Sequence, residues 1–279
     1  MDTDKILEKS ILVVAHPDDE VLWFSSILER VNEVAICFVK CASNPQRELG
    51  REKSLSAYPI KRVSCLGLVE AEIFNKADWQ NPVITNCGIE ISFDTISGSR
   101  YRNNYYELRR QLENKLSDRL NVFTHNPWGE YGHEEHVQVY RIVKELQEKL
   151  KFNLWFSNYC SNRSSNLMMQ YISGFSSEYM TLKTNKAIAN RVMDIYKENN
   201  CWTWYDDWEW FNDESFMQDI KSEVGEKTYG HIFPLNMIKM NCLNRSNEQV
   251  RQRTLKSILL SASIGKVIKV LSRHREKTN

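Results

Sequence analysis

An apolar run that ends abruptly in titratable residues constrains the fold of this chain more than any other feature. Residues 11–15 are all apolar, and the next five residues are His-Pro-Asp-Asp-Glu. Apolar residues then recur at helical spacing as far as Val31, which predicts a buried strand, a sharp loop and a helix. Ligands of open α/β sheets bind at the carboxyl ends of strands. The segment therefore predicts a functional site at the end of this strand.

Strand and helix patterns alternate from residue 11 to residue 156. Further strands are predicted at residues 33–41, 62–66, 121–124 and 152–156, and a strand or hairpin at 83–91. Helices are predicted at 46–58 and 101–120, and after His136 to about residue 150. This alternation is typical of βαβ units and a parallel sheet. We predict an α/β fold in a single domain over residues 1–279. It is a Rossmann-like, mostly parallel sheet flanked by helices, with a core over about residues 9–156 and a C-terminal elaboration over about 157–279.

The C-terminal elaboration differs from the core in its pattern and composition. Short strands are predicted at residues 168–172 and 179–182 and a helix at 185–199. Residues 201–229 are rich in tryptophan and acids, which suits either a small packed core or a surface that stacks on sugars. Residues 249–275 form a basic amphipathic pattern. Such a helix either docks on its own domain or makes peripheral contact with an anionic membrane.

Composition limits the partners and the location. The net charge of +1 argues against a nucleic-acid binder, which usually has a basic excess. Residues 1–10 carry no apolar signal core, and no stretch of the sequence approaches the roughly 20 apolar residues of a spanning helix. The seven cysteines are scattered without a Cys-x-x-Cys pair, which indicates reduced thiols. We expect a cytoplasmic protein.

A second polar segment follows the strand predicted at residues 121–124. It contains His133 and His136, which are three residues apart and share one face of a helix. If two such loops face each other, these histidines meet His16, Asp18 and Asp19. Two histidines and one carboxylate form a common ligand set of catalytic zinc, which lowers the pKa of bound water to roughly 7. A carboxylate left over can accept the proton of that water.

The two segments carry a family resemblance. Ala-His-Pro-Asp-Asp-Glu at residues 15–20 and Tyr-Gly-His-Glu-Glu-His at residues 131–136, in this order and at strand ends, resemble the LmbE/PIG-L family of metal-dependent N-deacetylases. The resemblance covers about residues 9–156. It implies removal of acetyl from N-acetylglucosamine that is carried on lipids, inositol or malate.

The resemblance also implies a role for each residue of the two segments. It makes His16, Asp19 and His136 the metal ligands. Asp18 matches the general base of the family, and His133 matches the histidine that stabilises the oxyanion or assists as an acid.

Other candidate residues are less sharply assigned. The family uses an arginine in the helix after the second strand, for which Arg47 and Arg51 compete and Arg51 is preferred. An aspartate after the third strand matches Asp78, so Arg51 and Asp78 are the predicted substrate-binding residues. His125 is expected either to line the pocket or to pack in its loop. The acids at 134–135 are expected to be solvated.

The sequence thus predicts a zinc-dependent hydrolase that releases acetate from an N-acetylglucosamine-type conjugate. Fe²⁺, Co²⁺ or Mn²⁺ would suit the same ligand set. The expected partner is a small-molecule amino sugar conjugate, free or linked to a lipid or polymer. Two alternatives are a hydrolase of another amide on the same metal site and a non-catalytic sugar-binding protein.

Overall fold

A computed structural model describes residues 2–92, 95–175, 177–219 and 233–240. By its contacts the chain divides into two units, Met1–Ile238 and Lys239–Asn279, and the fold below is that of the first. The basic helix predicted at 249–275 and the end of the tryptophan-rich stretch lie outside the described residues.

Strands and helices alternate through the first part of the chain, as the sequence predicts. The elements in chain order are α1 Thr3–Glu8, β1 Ser10–Val14, α2 Asp19–Phe24, β2 Glu33–Lys40, α3 Pro45–Ser56, β3 Val63–Val69, β4 Ile84–Thr85, β5 Gly88–Ile89, α4 Thr95–Leu116, β6 Asn121–Thr124, α5 Glu134–Leu150 and β7 Asn153–Ser157. The short strands β4 and β5 form the hairpin that was one of the two possibilities for residues 83–91.

The remaining elements belong to the C-terminal elaboration. They are β8 Tyr159–Ser161, α6 Ser165–Gln170, a 3₁₀ turn at Ile172–Gly174, β9 Tyr179–Lys183, α7 Lys186–Glu198, β10 Asp213–Gln218 and β11 Asn236–Ile238. The strand predicted at residues 168–172 is wrong, because this segment is helical. Leu167 and Tyr171 are four residues apart and both buried, so the apolar period is that of a helix.

A seven-stranded sheet in the order β3-β2-β1-β6-β7-β10-β9 forms the centre of the fold. The first five strands are parallel, and β10 pairs antiparallel with both β7 and β9. The predicted α/β class with a mostly parallel sheet is therefore confirmed. The elaboration extends the sheet by two strands, of which β10 escaped prediction.

The topology places one crevice beside β1. The chain moves from β1 to β2 on one side, and β6 pairs with β1 on the other, with Val13 opposite Thr124. Such a reversal of strand order is where open α/β sheets bind ligands. All five residues of β1 are buried, as the apolar run that begins at Ile11 predicts for a central parallel strand. The loops after β1 and β6 therefore meet at one edge.

The described part of the tryptophan-rich stretch packs as an aromatic cluster. Trp204 lies edge-on to Trp23 of α2, with 5.2 Å between ring centroids, and to Trp208 at 5.6 Å. Of the two alternatives for this stretch, these contacts favour the small packed core over a surface that stacks on sugars. The cysteines in the described residues are free thiols. Among the described helices, none is long and apolar enough to cross a membrane.

Two glycines give a matched test of the packing. A Cβ at Gly50 in α3 would lie 2.4 Å from the backbone oxygen of Asn199, whereas a Cβ at Gly98 in α4 would lie 3.7 Å from the nearest atom, in Ile91. We expect Gly50→Ala to lower the free energy of unfolding by about 1–3 kcal/mol through overpacking. Gly98→Ala should raise it by about 0.5–1 kcal/mol, because alanine is the better helix residue. Urea unfolding of the two variants checks this, and equal midpoints would contradict the predicted contact.

Candidate functional site

The loops after β1 and β6 bring the five predicted residues of the two motifs together. The ring centroids of His16 and His133 are 4.7 Å apart, and those of His133 and His136 are also 4.7 Å apart. Asp19 Oδ2 lies 3.1 Å from His136 Nε2. All five side chains belong to buried residues. The sequence thus identified a real cluster, which lies at the carboxyl edge of the parallel sheet.

Asp18 occupies a strained backbone conformation at the start of α2. Its φ of 105° lies in the left-handed region, which costs a non-glycine residue of order 1–3 kcal/mol. Its N–H donates to Glu20 Oε2 at 3.0 Å, and its carbonyl accepts from the N–H of Leu22 at 3.0 Å. Glu20 Oε1 in turn accepts from the hydroxyls of Tyr58 and Tyr196 at 2.7 and 2.8 Å. A buried network therefore holds the turn.

The Asp18 carboxylate has the environment of a base that works near neutral pH. Burial and the nearby charge of Asp19 raise the pKa of Asp18 to about 6, although a hydrogen bond from Thr203 opposes the shift. Thr203 Oγ1 donates to Asp18 Oδ2 at 2.6 Å. A general base is most effective when its pKa is close to the working pH.

Glu135 orients the imidazole of His16. Glu135 Oε2 lies 2.9 Å from His16 Nε2, while its Oε1 accepts the N–H of Ala71 at 2.7 Å. Because an ionised carboxylate only accepts, the proton of a neutral His16 is assigned to Nε2. The lone pair of His16 Nδ1 then lies toward Asp19 Oδ2, 3.3 Å away.

Glu130 orients His136 in the same way. Glu130 Oε2 accepts from His136 Nδ1 at 2.8 Å, and its Oε1 accepts from the hydroxyl of Ser157 at 2.6 Å. His136 Nε2 is fully buried and has no hydrogen-bond partner in the described residues, and it lies 3.1 Å from Asp19 Oδ2. A buried imidazole nitrogen that has no hydrogen-bond partner and lies beside a carboxylate oxygen fits a cation bound at this position.

The electrostatics of the cluster favour a positive charge. Burial alone would lower the pKa of His16 and His136, but the surrounding carboxylates raise it to about 10 and about 9. Burial alone would raise the pKa of Asp19, but the histidines hold it well below its usual range. A cation placed between these groups would meet the same attraction as the imidazole protons.

His133 differs from the other two histidines of the motifs because it remains neutral. Burial, followed by the neighbouring His136 and His16, lowers its pKa well below the usual range. His133 Nδ1 accepts the N–H of Glu135 at 3.2 Å, so its proton is assigned to Nε2. Phe74 stacks on the ring of His133 with centroids 5.2 Å apart. No hydrogen bond from His133 Nε2 is found within the described part of the chain, so this N–H can be offered to an oxygen.

His125 packs in its loop and does not present a free nitrogen. Its Nε2 accepts the N–H of Ala15 at 2.8 Å, and its Nδ1 donates to Glu130 Oε2 at 2.9 Å. Of the two alternatives for this residue, the contacts support the packed one. Its role is to tie β1 to β6 and to share the carboxylate that orients His136.

Several groupings of residues could hold a metal ion. In the described residues, potential ligand atoms lie within 4.8 Å of one another in the groups His16/His133/His136, Asp19/His125/His136 and His16/Glu70/Glu135. The ligands that the resemblance implies are drawn from the first two groups. His125 is excluded on chemical grounds, because both of its nitrogens are engaged.

The two predicted substrate-binding residues lie in different environments. Arg51 is buried, and its Nη1 donates to Glu70 Oε2 at 3.1 Å and to Cys41 Sγ at 2.9 Å. Arg47 reaches the other oxygen of Glu70 at 3.7 Å and is more exposed. Asp78 is exposed and accepts from the N–H of Gln80 at 3.0 Å, within its own turn. A substrate contact of either residue stays a prediction.

The expectation that Glu134 and Glu135 are solvated is wrong. Both are buried, and Glu134 Oε1 accepts the N–H of Ala77 at 2.9 Å and contacts Arg163 Nη2 at 3.3 Å. The signal for this was present, because the first turns of α5 carry apolar residues on more than one face, at Val137 and Val139 for example. A helix that is apolar around its circumference is buried, and so are the acids at its start.

Sequence reasoning missed the residues that orient the cluster. Glu130 and Glu135 come from the loop after β6 and from α5 of the α/β core, and Thr203 comes from the C-terminal elaboration. Glu135 lies inside the second motif and Glu130 directly precedes it, so their position next to the histidines was a usable signal. No such signal existed for Thr203, because its contact with Asp18 joins residues 185 positions apart.

Fold and site together define a class: an α/β protein with a buried histidine–carboxylate centre where the strand order of a parallel sheet reverses. The family model PIG-L, described as GlcNAc-PI de-N-acetylase, matches residues 11–147. Over those residues the chain belongs to the PIG-L (LmbE-like) family, which confirms the resemblance of the two motifs. The chain is accordingly a hydrolase of the deacetylase class.

The chain is also similar, at low sequence identity, to individual proteins. An uncharacterized protein of Acanthamoeba polyphaga mimivirus is 23% identical over 201 residues, covering 68% of this chain and 80% of that protein. The crystal structure of a deacetylase–teicoplanin complex from teicoplanin biosynthesis is 10% identical, with a TM-score of 0.48 over 75% of this chain and 97% of that one. A zinc-inhibited form of teicoplanin deacetylase is 12% identical, with a TM-score of 0.48 over 75% and 97% of the two chains.

The burial of Glu134 gives a stability prediction. We expect Glu134→Ala to lower the free energy of unfolding by about 3–5 kcal/mol, because it leaves Arg163 without its buried partner. Glu148→Ala, at an exposed position of the same helix, should change it by less than about 0.5 kcal/mol. Chemical denaturation of both variants measures the difference, and similar stabilities would mean that Glu134 is solvated after all.

Proposed function

We propose that the chain is a metal-dependent hydrolase that removes the acetyl group from an N-acetylglucosamine-type amino sugar conjugate. The observation that supports this most strongly is the pair of carboxylate–imidazole contacts at His16 and His136. Each carboxylate accepts a hydrogen bond from one ring nitrogen, and the other nitrogen lies beside Asp19 Oδ2, at 3.3 and 3.1 Å. Metal-binding histidines commonly have such carboxylate partners.

His16 Nδ1, Asp19 Oδ2 and His136 Nε2 would hold the metal. A divalent ion bound there supplies a water of lowered pKa and polarises the substrate carbonyl. Two nitrogens and one carboxylate suit zinc, which we propose as the native ion, and they also suit Fe²⁺, Co²⁺ and Mn²⁺.

The residues around this position divide the proton transfers of amide hydrolysis. Asp18, with its pKa raised to about 6, accepts the proton of the attacking water. Neutral His133 offers its Nε2–H to the oxyanion that develops on the acetyl carbonyl. Protonated Asp18 then delivers the proton to the leaving nitrogen, so that the products are acetate and a free amine.

Aromatic side chains at the site support a sugar as the group that carries the amide. Phe74 is 40% exposed and stacks on His133, and the ring of Tyr131 lies 5.8 Å from those of both Phe74 and His133. Aromatic rings present flat apolar faces that can cover the C–H face of a sugar ring. We therefore propose these rings as a sugar-binding surface beside the group that stabilises the oxyanion.

Asp18→Ala separates base catalysis from metal binding. We expect the variant to keep its bound metal and to lose about 10²–10⁴-fold in kcat, the usual contribution of a general base. Asp207→Ala, at an exposed position outside the cluster, should retain full activity. Acetate release and elemental analysis of both variants provide the measurement. Full activity of Asp18→Ala would refute its role as the base.

Glu130→Gln tests the orientation of His136. A neutral amide binds the His136 N–H less strongly than a carboxylate, so we expect the affinity for the metal to fall about 10–100-fold. The metal affinity of His136→Ala should be lower still, because this substitution removes a ligand. Competition with a chelator measures these affinities, and Glu148→Gln at an exposed position of α5 is the control. Unchanged affinity in Glu130→Gln and His136→Ala would show that the metal binds elsewhere.

A further inference from the structure

We infer that Thr203 is a positioning residue for Asp18, so that the C-terminal elaboration completes the catalytic machinery of the α/β core. The inference rests on the proposed function, in which Asp18 is the general base. Thr203 lies 56 residues beyond the end of the family match at residue 147, and nothing in the two motifs assigns it a role.

Two donors of Thr203 converge on one oxygen of the base. The Thr203 hydroxyl donates to Asp18 Oδ2 at 2.6 Å, and the Thr203 N–H donates to the same atom at 3.4 Å. In the described residues no other group donates to this carboxylate. Hydrogen bonds to an ionised acceptor are short and strong, so Thr203 determines which oxygen of Asp18 is engaged and which is left for water.

The carboxylate needs such a partner because its own torsion is soft. Aspartate χ2 has a broad, roughly two-fold energy profile, and a base must be held within a narrow range of orientations to accept a proton. The backbone of Asp18 is held by Glu20, but that contact does not reach the carboxylate. Thr203 therefore supplies the constraint that the core lacks.

Thr203 is itself held between two buried anchors. On one side the N–H of Cys201 donates to the carbonyl of Tyr196 at 3.0 Å, and Cys201 Sγ lies 3.3 Å from the hydroxyl of Ser54. On the other side the buried ring of Trp204 lies 4.7 Å from that of Tyr131. Thr203 remains exposed between them. An exposed threonine whose hydroxyl points to a buried carboxylate contributes little packing, which argues against a purely structural role.

Thr203→Val and Thr203→Ser test the inference in the full chain, with zinc-loaded protein and a soluble N-acetylglucosamine conjugate. Valine keeps the shape and removes the hydroxyl, so we expect kcat to fall about tenfold or more, the cost of a hydrogen bond to a charged group. KM, bound metal and melting temperature should change little. Serine should restore kcat to within about threefold of the parent protein. Thr181→Val is the matched control, because Thr181 is also exposed and its hydroxyl lies 2.8 Å from Ser215 Oγ, across β9 and β10 and away from Asp18.

Several outcomes would overturn the inference. An unchanged kcat in Thr203→Val would do so, as would a fall that tracks loss of metal or of melting temperature. An increase in kcat would show that the hydroxyl restrains Asp18 unproductively, and it would also overturn the inference.

A crystal structure of Thr203→Val tests the positioning without substrate and so separates it from the proposed function. We expect the Asp18 carboxylate to rotate or to occupy more than one orientation. An unchanged single orientation would refute positioning by Thr203, even if the parent protein releases acetate. Conversely, a parent protein that releases no acetate would contradict the proposed function whatever the orientation of Asp18.

Discussion

The structure depends on buried hydrogen bonds and close contacts between carboxylates and imidazoles at the edge of the parallel sheet. Asp19 Oδ2 accepts the backbone N–H of His16 at 2.7 Å and lies beside the side chains of both His16 and His136. Glu135 and Glu130 hold the far nitrogens of the two rings. Buried charges are tolerated only when they are paired in this way. The loops after β1 and β6, and with them the crevice, are fixed by these pairs.

The same pairs explain why function is concentrated at this edge. Parallel strands bury their apolar residues on both faces and leave polar groups to the loops at their ends. The neutral His133, the oriented His136 and the raised pKa of Asp18 follow from differences in burial and partner within one cluster. Similar residues thus acquire different chemical tasks through their surroundings rather than through their type.

Local sequence patterns predicted the α/β core and the residues of the histidine–carboxylate cluster, whereas features that depend on contacts between distant parts of the chain were not predicted. The apolar run of residues 11–15 and the helical spacing after His133 depend only on neighbours in sequence, so β1 and α5 appeared where they were expected. The bond between Asp18 and Thr203 spans 185 positions, and no local period encodes it. The short helix at Ser165–Gln170 was missed because a brief apolar run does not distinguish helix from strand.

Metal content combined with acetate release tests the central claim most directly. Elemental analysis of the purified chain should find about one divalent metal per chain, as expected for a site of two histidines and one carboxylate. The loaded protein should release acetate from at least one member of a panel of N-acetylglucosamine conjugates. A chain that binds neither zinc nor ferrous iron after reloading would contradict the claim.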